Sequence, residues 1–342
     1  MRTRRSALFT ALTASGVVAS GITLLAPAAG AIVPPGPGCT VINYGAISPV
    51  QGTAGDDVIC LLGTSIAADG LGGDDVIYGT TGNDTLTGGS GDDVIWGYQG
   101  DDELSGNNGD DSIYGDVGND MIDGGNGRDS LVGGAGDDIV EGGSGDDVMH
   151  LGAGNDTARG QADDDEIYGD EGIDVIDGNA GDDFISGGNR NDVLFGGEGN
   201  DTINGDDGQD LIRGDSNSNN LEWWLSEDPS YWAVGESRIA AKDLIRGGAD
   251  DDTIFGEIGG DVVRGEWGDD IVSGGYGNDS VTGEWGEDKL FGDQGADTLL
   301  GGSENDSLEG GAGFDALDGG SEYDDCDPQA DGATVTSCEL VL

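Results

Sequence analysis

The sequence predicts an all-β fold, a parallel solenoid of short strands with two nine-residue units in each coil. Two observations predict it. The first is a unit, Gly-Gly-x-Gly-(Asn/Asp)-Asp-x-(large aliphatic)-x, that runs through most of the chain; Gly-Gly-Ser-Gly-Asp-Asp-Val-Ile-Trp at 88–96 is a clean copy. The second is its phase. Every ninth residue from Asp75 to Asp210 is Asp, and again from Asp243 to Asp324. A period this short marks an architecture in which each unit buries its apolar side only against its neighbours.

Taken in order, residues 1–31 read as a secretory signal peptide. Arg2, Arg4 and Arg5 precede an apolar stretch from Ala7 to Leu25, and small residues close it at Ala26, Ala28, Ala29 and Ala31. The stretch is short for a membrane span and is interrupted by Gly, Ser and Thr, so no span is expected once the signal is removed. Residues 32–51 form a lead-in without the repeat. The repeat array occupies 52–327, with an insertion at about 217–240 that breaks one unit between Gly214 and Lys242. Residues 328–342 form a C-terminal cap.

Within a unit, the first six residues are expected to form a turn, where Gly supplies positive φ and close backbone approach. The last three form a strand. The eighth position points inward and carries Ile77, Leu86, Ile95, Leu104, Ile113, Ile122 and Leu131, while the seventh and ninth point outward. Residues 18 apart then lie one strand spacing apart, about 4.8 Å. About thirteen coils give a slab on the order of 60 Å long. One aliphatic per strand makes a thin core.

Composition sharpens the problem. Among 342 residues, 70 are Gly and 70 are acidic against 12 basic, for a net charge of −58. Loss of the signal peptide leaves 9 basic residues against the same 70 acidic ones, or −61. Such a chain ordinarily stays disordered, because too little apolar surface offsets its chain entropy. The strict phase argues that cations along the Asp rows supply the missing stabilisation. The same acidity excludes nucleic acid as a partner, since phosphate binding needs basic surface.

Each turn offers one carboxylate and several backbone carbonyls, the hard oxygen set that calcium takes six to eight at a time. Stacking places Asp75 beside Asp93, and Asp84 beside Asp102, on opposite edges of the slab. Without a cation these like charges repel at every coil. Magnesium prefers stricter octahedral sites, and transition metals lack their imidazole and thiolate ligands here.

The unit resembles the RTX nonapeptide of hemolysin-type calcium-binding proteins, Gly-Gly-x-Gly-x-Asp-x-U-x, over roughly 52–327. The resemblance implies a right-handed parallel β-roll with Ca²⁺ at the sixth-position Asp, shared between turns on one edge. The implied ligands are Asp75, Asp84, Asp93, Asp102, Asp111, Asp120, Asp129, Asp138, Asp147, Asp156, Asp174, Asp183, Asp201, Asp210, Asp261, Asp270, Asp279, Asp288, Asp297 and Asp315. Some turns depart from the pattern. Leu151 replaces the first Gly, and Asp163, Arg190, Asp250, Glu304 and Glu322 replace the fourth. Many relatives carry the module beside a catalytic or pore-forming domain and are exported on a C-terminal signal. This sequence departs from both habits.

Four Cys flank the array, and export favours disulfides. Three connectivities exist; placement favours Cys39–Cys60 and Cys326–Cys338, one at each end. Tyr78, Trp96 and Tyr114 recur at 18-residue spacing, with His150 and Tyr168 continuing the row. They form either a stacking ladder or a platform for a glycan. Trp267 and Trp285, also 18 apart, are expected to stack at a turn edge. The insertion holds Trp223, Trp224, Tyr231 and Trp232, either as a flap packed on the roll or as a loop for a protein, glycan or cell-surface partner. No Gly-x-Ser-x-Gly and no His-Glu-x-x-His occurs, and His150 is the only His. The reading is a secreted, non-enzymatic calcium-binding protein with a structural or surface-interaction role. The alternatives are a hydrolase or toxin accessory with its site in the insertion, and an ice or mineral binder. The last needs regular outward Thr rows, whereas Thr87, Ser105, Asp123, Glu141 and Arg159 are mixed.

Overall fold

The computed structural model describes residues 39, 41–43, 49–214, 242–327, 329 and 334–340. The expected signal peptide, most of the lead-in and the insertion, with Trp223, Trp224, Tyr231 and Trp232, lie outside the described residues.

Successive strands alternate between two parallel sheets. Val94–Gln99 lies in the first, Glu103–Asn108 in the second, and Ser112–Val117 in the first again. Among the described residues the first sheet has 16 strands. The second is a matching stack from Val50–Gln51 to Glu339–Leu340, with two rungs split at Thr253–Phe255/Ile258–Gly259 and Ser307–Glu309/Ala312–Gly313. Among the described residues no helix is long and apolar enough to cross a membrane. The fold is the expected all-β parallel solenoid, and its partners sit 18 residues apart, as in Ile95↔Ile113. The ends exceed the repeat, since Val41–Asn43 and Thr334–Thr336 add the outermost rungs of the first sheet.

Across the insertion the pairing skips. Ile203 faces Ile245 and Ile212 faces Ile254, 42 residues apart, so 24 residues leave and return within one unit without disturbing the register.

The strands correct one expectation. They run six residues, from the seventh position of one unit through the third of the next, and the turn is only three residues long. The reason is the second position, where left-handed φ (Gly89 at 123°, Asn107 at 74°) kinks the chain yet keeps the second and third positions paired to the neighbouring coil. The core matches expectation. Eighth-position residues from Ile77 and Leu86 to Leu317 line the interior, nearly all fully buried. Each contributes about 1.5–3 kcal/mol by burial. One unit trades positions: Leu151 is fully buried in the core, and the same unit carries the small Ala158 at its eighth position. The volume given up at 158 is supplied from 151.

Candidate metal centre

The sixth-position Asp residues form two rows, one along each edge of the solenoid. Strand pairing fixes them there, because the seventh-position N–H donates to the Asp carbonyl one coil back, as Val94 does to Asp75 at 2.8 Å. The side chain then turns inward. Asp75, Asp93, Asp111 and Asp120 are each at most 2% exposed. One oxygen is used: Asp75 N–H donates to Asp93 Oδ1, Asp93 N–H to Asp111 Oδ1 and Asp102 N–H to Asp120 Oδ1, at 2.7–2.8 Å. The ladder crosses the insertion, where Asp210 N–H donates to Asp252 Oδ1 at 2.7 Å.

The second oxygen is different. Among the described residues, Oδ2 of Asp75, Asp93, Asp102, Asp111 and Asp120, and of most other sixth-position Asp, is buried without a hydrogen-bond partner. Burial of such a charge is costly, and the acidities show it. Desolvation, only partly offset by the backbone N–H, pushes Asp93 and Asp120 up to about 6, Asp111 and Asp147 to about 7, and Asp165, Asp192 and Asp252 to about 8. A bound cation would relieve the same cost.

The space beside these oxygens suits one. At Gly70, the point a Cβ would occupy lies 2.1 Å from Asp75 Oδ2 and 2.4 Å from the Gly88 carbonyl oxygen. The same cradle recurs at Gly106, 2.1 Å from Asp111 Oδ2 and 2.6 Å from Gly124 O, and at Gly115, 2.4 Å from Asp120 Oδ2 and 2.6 Å from Gly133 O. Calcium–oxygen distances are about 2.3–2.6 Å. Among the described residues no group of three or more acidic, His or Cys side chains is placed to hold a metal. A cation here would therefore draw most of its oxygens from backbone carbonyls, which is what the Gly turns offer.

Six residues outside the expected ligand set join the rows. Asp165, Asp192, Asp243, Asp252, Asp306 and Asp324 are at most 3% exposed, and each has the same open Oδ2. Five of their turns carry the fourth-position substitutions, yet Asp163, Arg190, Asp250, Glu304 and Glu322 keep left-handed φ of 76–86°. The turn shape survives at a cost of about 1–2 kcal/mol per residue. Their signal was the phase itself. At Leu151 the side chain's own Cβ stands where other turns leave the cradle, which sets Asp156 apart. Asp84 also differs: Thr80 N–H donates to its Oδ2 at 2.6 Å.

The fifth position also contributes its side chain. Its side chains accept from the following coil, Asp74 Oδ1 from Asp92 N–H and Asp101 Oδ1 from Asn119 N–H, both at 3.1 Å. That explains the Asn/Asp preference there, since both residues present an acceptor oxygen.

The cysteines pair as Cys39–Cys60 and Cys326–Cys338, with Cα separations of 5.8 Å. Tyr78, Trp96 and Tyr114 stack at 5.0 and 5.4 Å with interplanar angles of 12° and 9°. His150 stacks on Tyr168 at 4.6 Å. Their faces cover one another, so the row is a brace rather than a platform for a sugar face. Trp267 and Trp285 stack at 5.1 Å, as expected.

The chain matches the family described as RTX calcium-binding nonapeptide repeat (4 copies) at 69–104, 96–131, 123–158, 159–189, 186–221, 240–263, 264–299 and 300–324. No curated protein matches it. Among solved structures, a hyperactive, Ca²⁺-dependent, β-helical antifreeze protein from an Antarctic bacterium is 18% identical over 86% of this chain and 76% of its own, with a TM-score of 0.28, a likeness too distant to bear on function. With the repeat matched from 69 to 324 and its Asp residues buried in phase along both edges, the chain belongs to the RTX calcium-binding nonapeptide repeat family.

Proposed function

We propose that this is a secreted, non-enzymatic protein whose roll orders when Ca²⁺ is bound and then serves as an extracellular structural or surface-interaction element. One observation carries it: among the described residues, two rows of buried Asp Oδ2 atoms with no hydrogen-bond partner, most of them beside a Gly cradle that a carbonyl oxygen also lines. Bound Ca²⁺ supplies the positive charge that these oxygens lack. Asp75, Asp93, Asp111 and Asp129 would hold it on one edge, and Asp102, Asp120 and Asp138 on the other. The Asp Oδ1 atoms keep each carboxylate aimed by accepting from the coil before. The signal-like residues 1–31 and the paired cysteines support export. The insertion at about 217–240 is the segment we assign to a protein, glycan or cell-surface partner.

Extracellular sites of this class have dissociation constants of about 10⁻⁴ to 10⁻³ M. The metal-free chain should therefore give a largely disordered far-UV circular dichroism spectrum and become strand-rich at millimolar Ca²⁺. A spectrum already strand-rich in chelator and unmoved by calcium would sink the proposal.

A further inference from the structure

The Asp Oδ2 atoms are not alike along the roll. Only two units carry Thr at the second position, Gly-Thr-Ala-Gly-Asp-Asp at 52–57 and Gly-Thr-Thr-Gly-Asn-Asp at 79–84. They hold the first in-phase Asp of each edge. Elsewhere in the described array the second position is left-handed almost throughout: Leu71 at 76°, Tyr98 at 76°, Asp116 at 72°. Thr53 and Thr80 are not among the left-handed residues. Their N–H groups instead point at their own unit's carboxylate, Thr53 to Asp57 Oδ2 and Thr80 to Asp84 Oδ2, both at 2.6 Å. The threonine hydroxyls brace the same turns, accepting from Gly55 N–H and Gly82 N–H at 3.3 Å. Asp84 Oδ1 in turn accepts from Ile66 N–H at 2.6 Å, and Ile66 is the one sixth position without a carboxylate. At these turns a hydrogen bond takes the oxygen that faces the cradle in the next coils.

We infer that residues 50–87 form a cap that orders ahead of the array, in which Thr53–Asp57 and Thr80–Asp84 locks replace cations at two of its three Asp turns; Asp75, the third, keeps its open Oδ2 and is the first calcium ligand, from which calcium-driven order propagates toward the C-terminus. This rests on the calcium reading above. The logic is that of an end. A cation between two turns draws oxygens from coils on both sides; among the described residues the 52–57 turn has a neighbouring turn on one side only, and the 79–84 turn has on one side the turn of Ile66, which brings no carboxylate. The Cys39–Cys60 disulfide holds this same end, since Cys60 lies on the strand Val58–Leu61 that pairs with both Val41–Asn43 and Val76–Tyr78. In a stacked fold each coil is stabilised by its neighbour, so one preformed coil removes the nucleation cost for those that follow.

Hydrogen–deuterium exchange of the full chain, metal-free and with calcium, tests it. In chelator, amides at 53–87 should exchange at least about tenfold more slowly than those at 93–213; calcium should then slow both. Replacing both threonines, Thr53→Gly with Thr80→Gly, should erase the metal-free protection. Thr80→Val, which keeps the N–H and a β-branched backbone, should retain it. If 53–87 exchanges as fast as 93–213 in chelator while calcium still protects the array, the cap is wrong and the calcium reading stands. Retained protection in the double Gly variant also overturns the cap. Uniform protection without calcium overturns both.

Discussion

At the residue scale, the two oxygens of one Asp do separate jobs. Asp120→Ala removes the acceptor for Asp102 N–H and the open Oδ2 together. We expect a several-fold higher calcium midpoint and a loss of about 1–3 kcal/mol, read by calcium titration followed by circular dichroism. Asn83→Ala, whose side chain makes one exposed contact to Asp101 at 3.3 Å, should shift the midpoint much less. Acidity gives a second test. The folded-state pKa values of Asp93, Asp111 and Asp165 are raised, to about 6, 7 and 8. The unfolded carboxyl value is near 4, so the metal-free roll binds more protons than the coil between those limits. Stability of the metal-free roll is therefore greatest below about pH 4 and is lost as pH rises through 6–8. Metal-free protein should gain strand signal on acidification from pH 8 to 5, while its calcium midpoint should rise because protons compete for Oδ2. A midpoint independent of pH over that range would count against Oδ2 as the ligand.

At the element scale, the sequence showed which side chains face inward, because a two-residue alternation and a nine-residue phase together leave one choice for Ile77 or Leu86. It did not show where strands end. Gly-rich positions one to three read as turn, yet the second and third pair, as Gly89↔Asn107 and Ser90↔Asn108 show. Nothing in composition distinguishes a kinked strand from a turn when both want left-handed φ. The Thr80–Asp84 contact was equally hidden, since a threonine in a tolerant position gives no hint that its N–H will be redirected. The insertion belongs to this scale too. Deleting 217–240 joins Ser216 to Ala241 and restores a nine-residue unit. Because Ile203 already faces Ile245, the shortened chain should fold with calcium at an unchanged midpoint, measured by the same titration. Loss of calcium-dependent folding would make the insertion part of the core.

At the scale of the whole molecule, architecture was legible because a repeat states the same fact many times. The outermost rungs were not, as Val41–Asn43 and Thr334–Thr336 carry no repeat and are recruited by pairing alone. Those rungs have a consequence. Among the described residues nothing pairs with the outer side of Val41–Asn43 or of Thr334–Thr336, and a strand edge of that kind is one to which another chain can add. The ends are unlike each other, so one molecule's head fits another's tail, and such contacts do not close into a ring but extend into filaments. The two disulfides stand at these ends, tying Cys39 to Cys60 and Cys326 to Cys338. Reduction in the presence of calcium should leave the middle of the roll intact but free its terminal strands to exchange. Light scattering should then report concentration-dependent end-to-end growth, with elongated particles of one-coil width, where the oxidised protein stays monodisperse. On that expectation the cysteine pairs keep the terminal strands on their own stack, where they are not free to pair with a second copy.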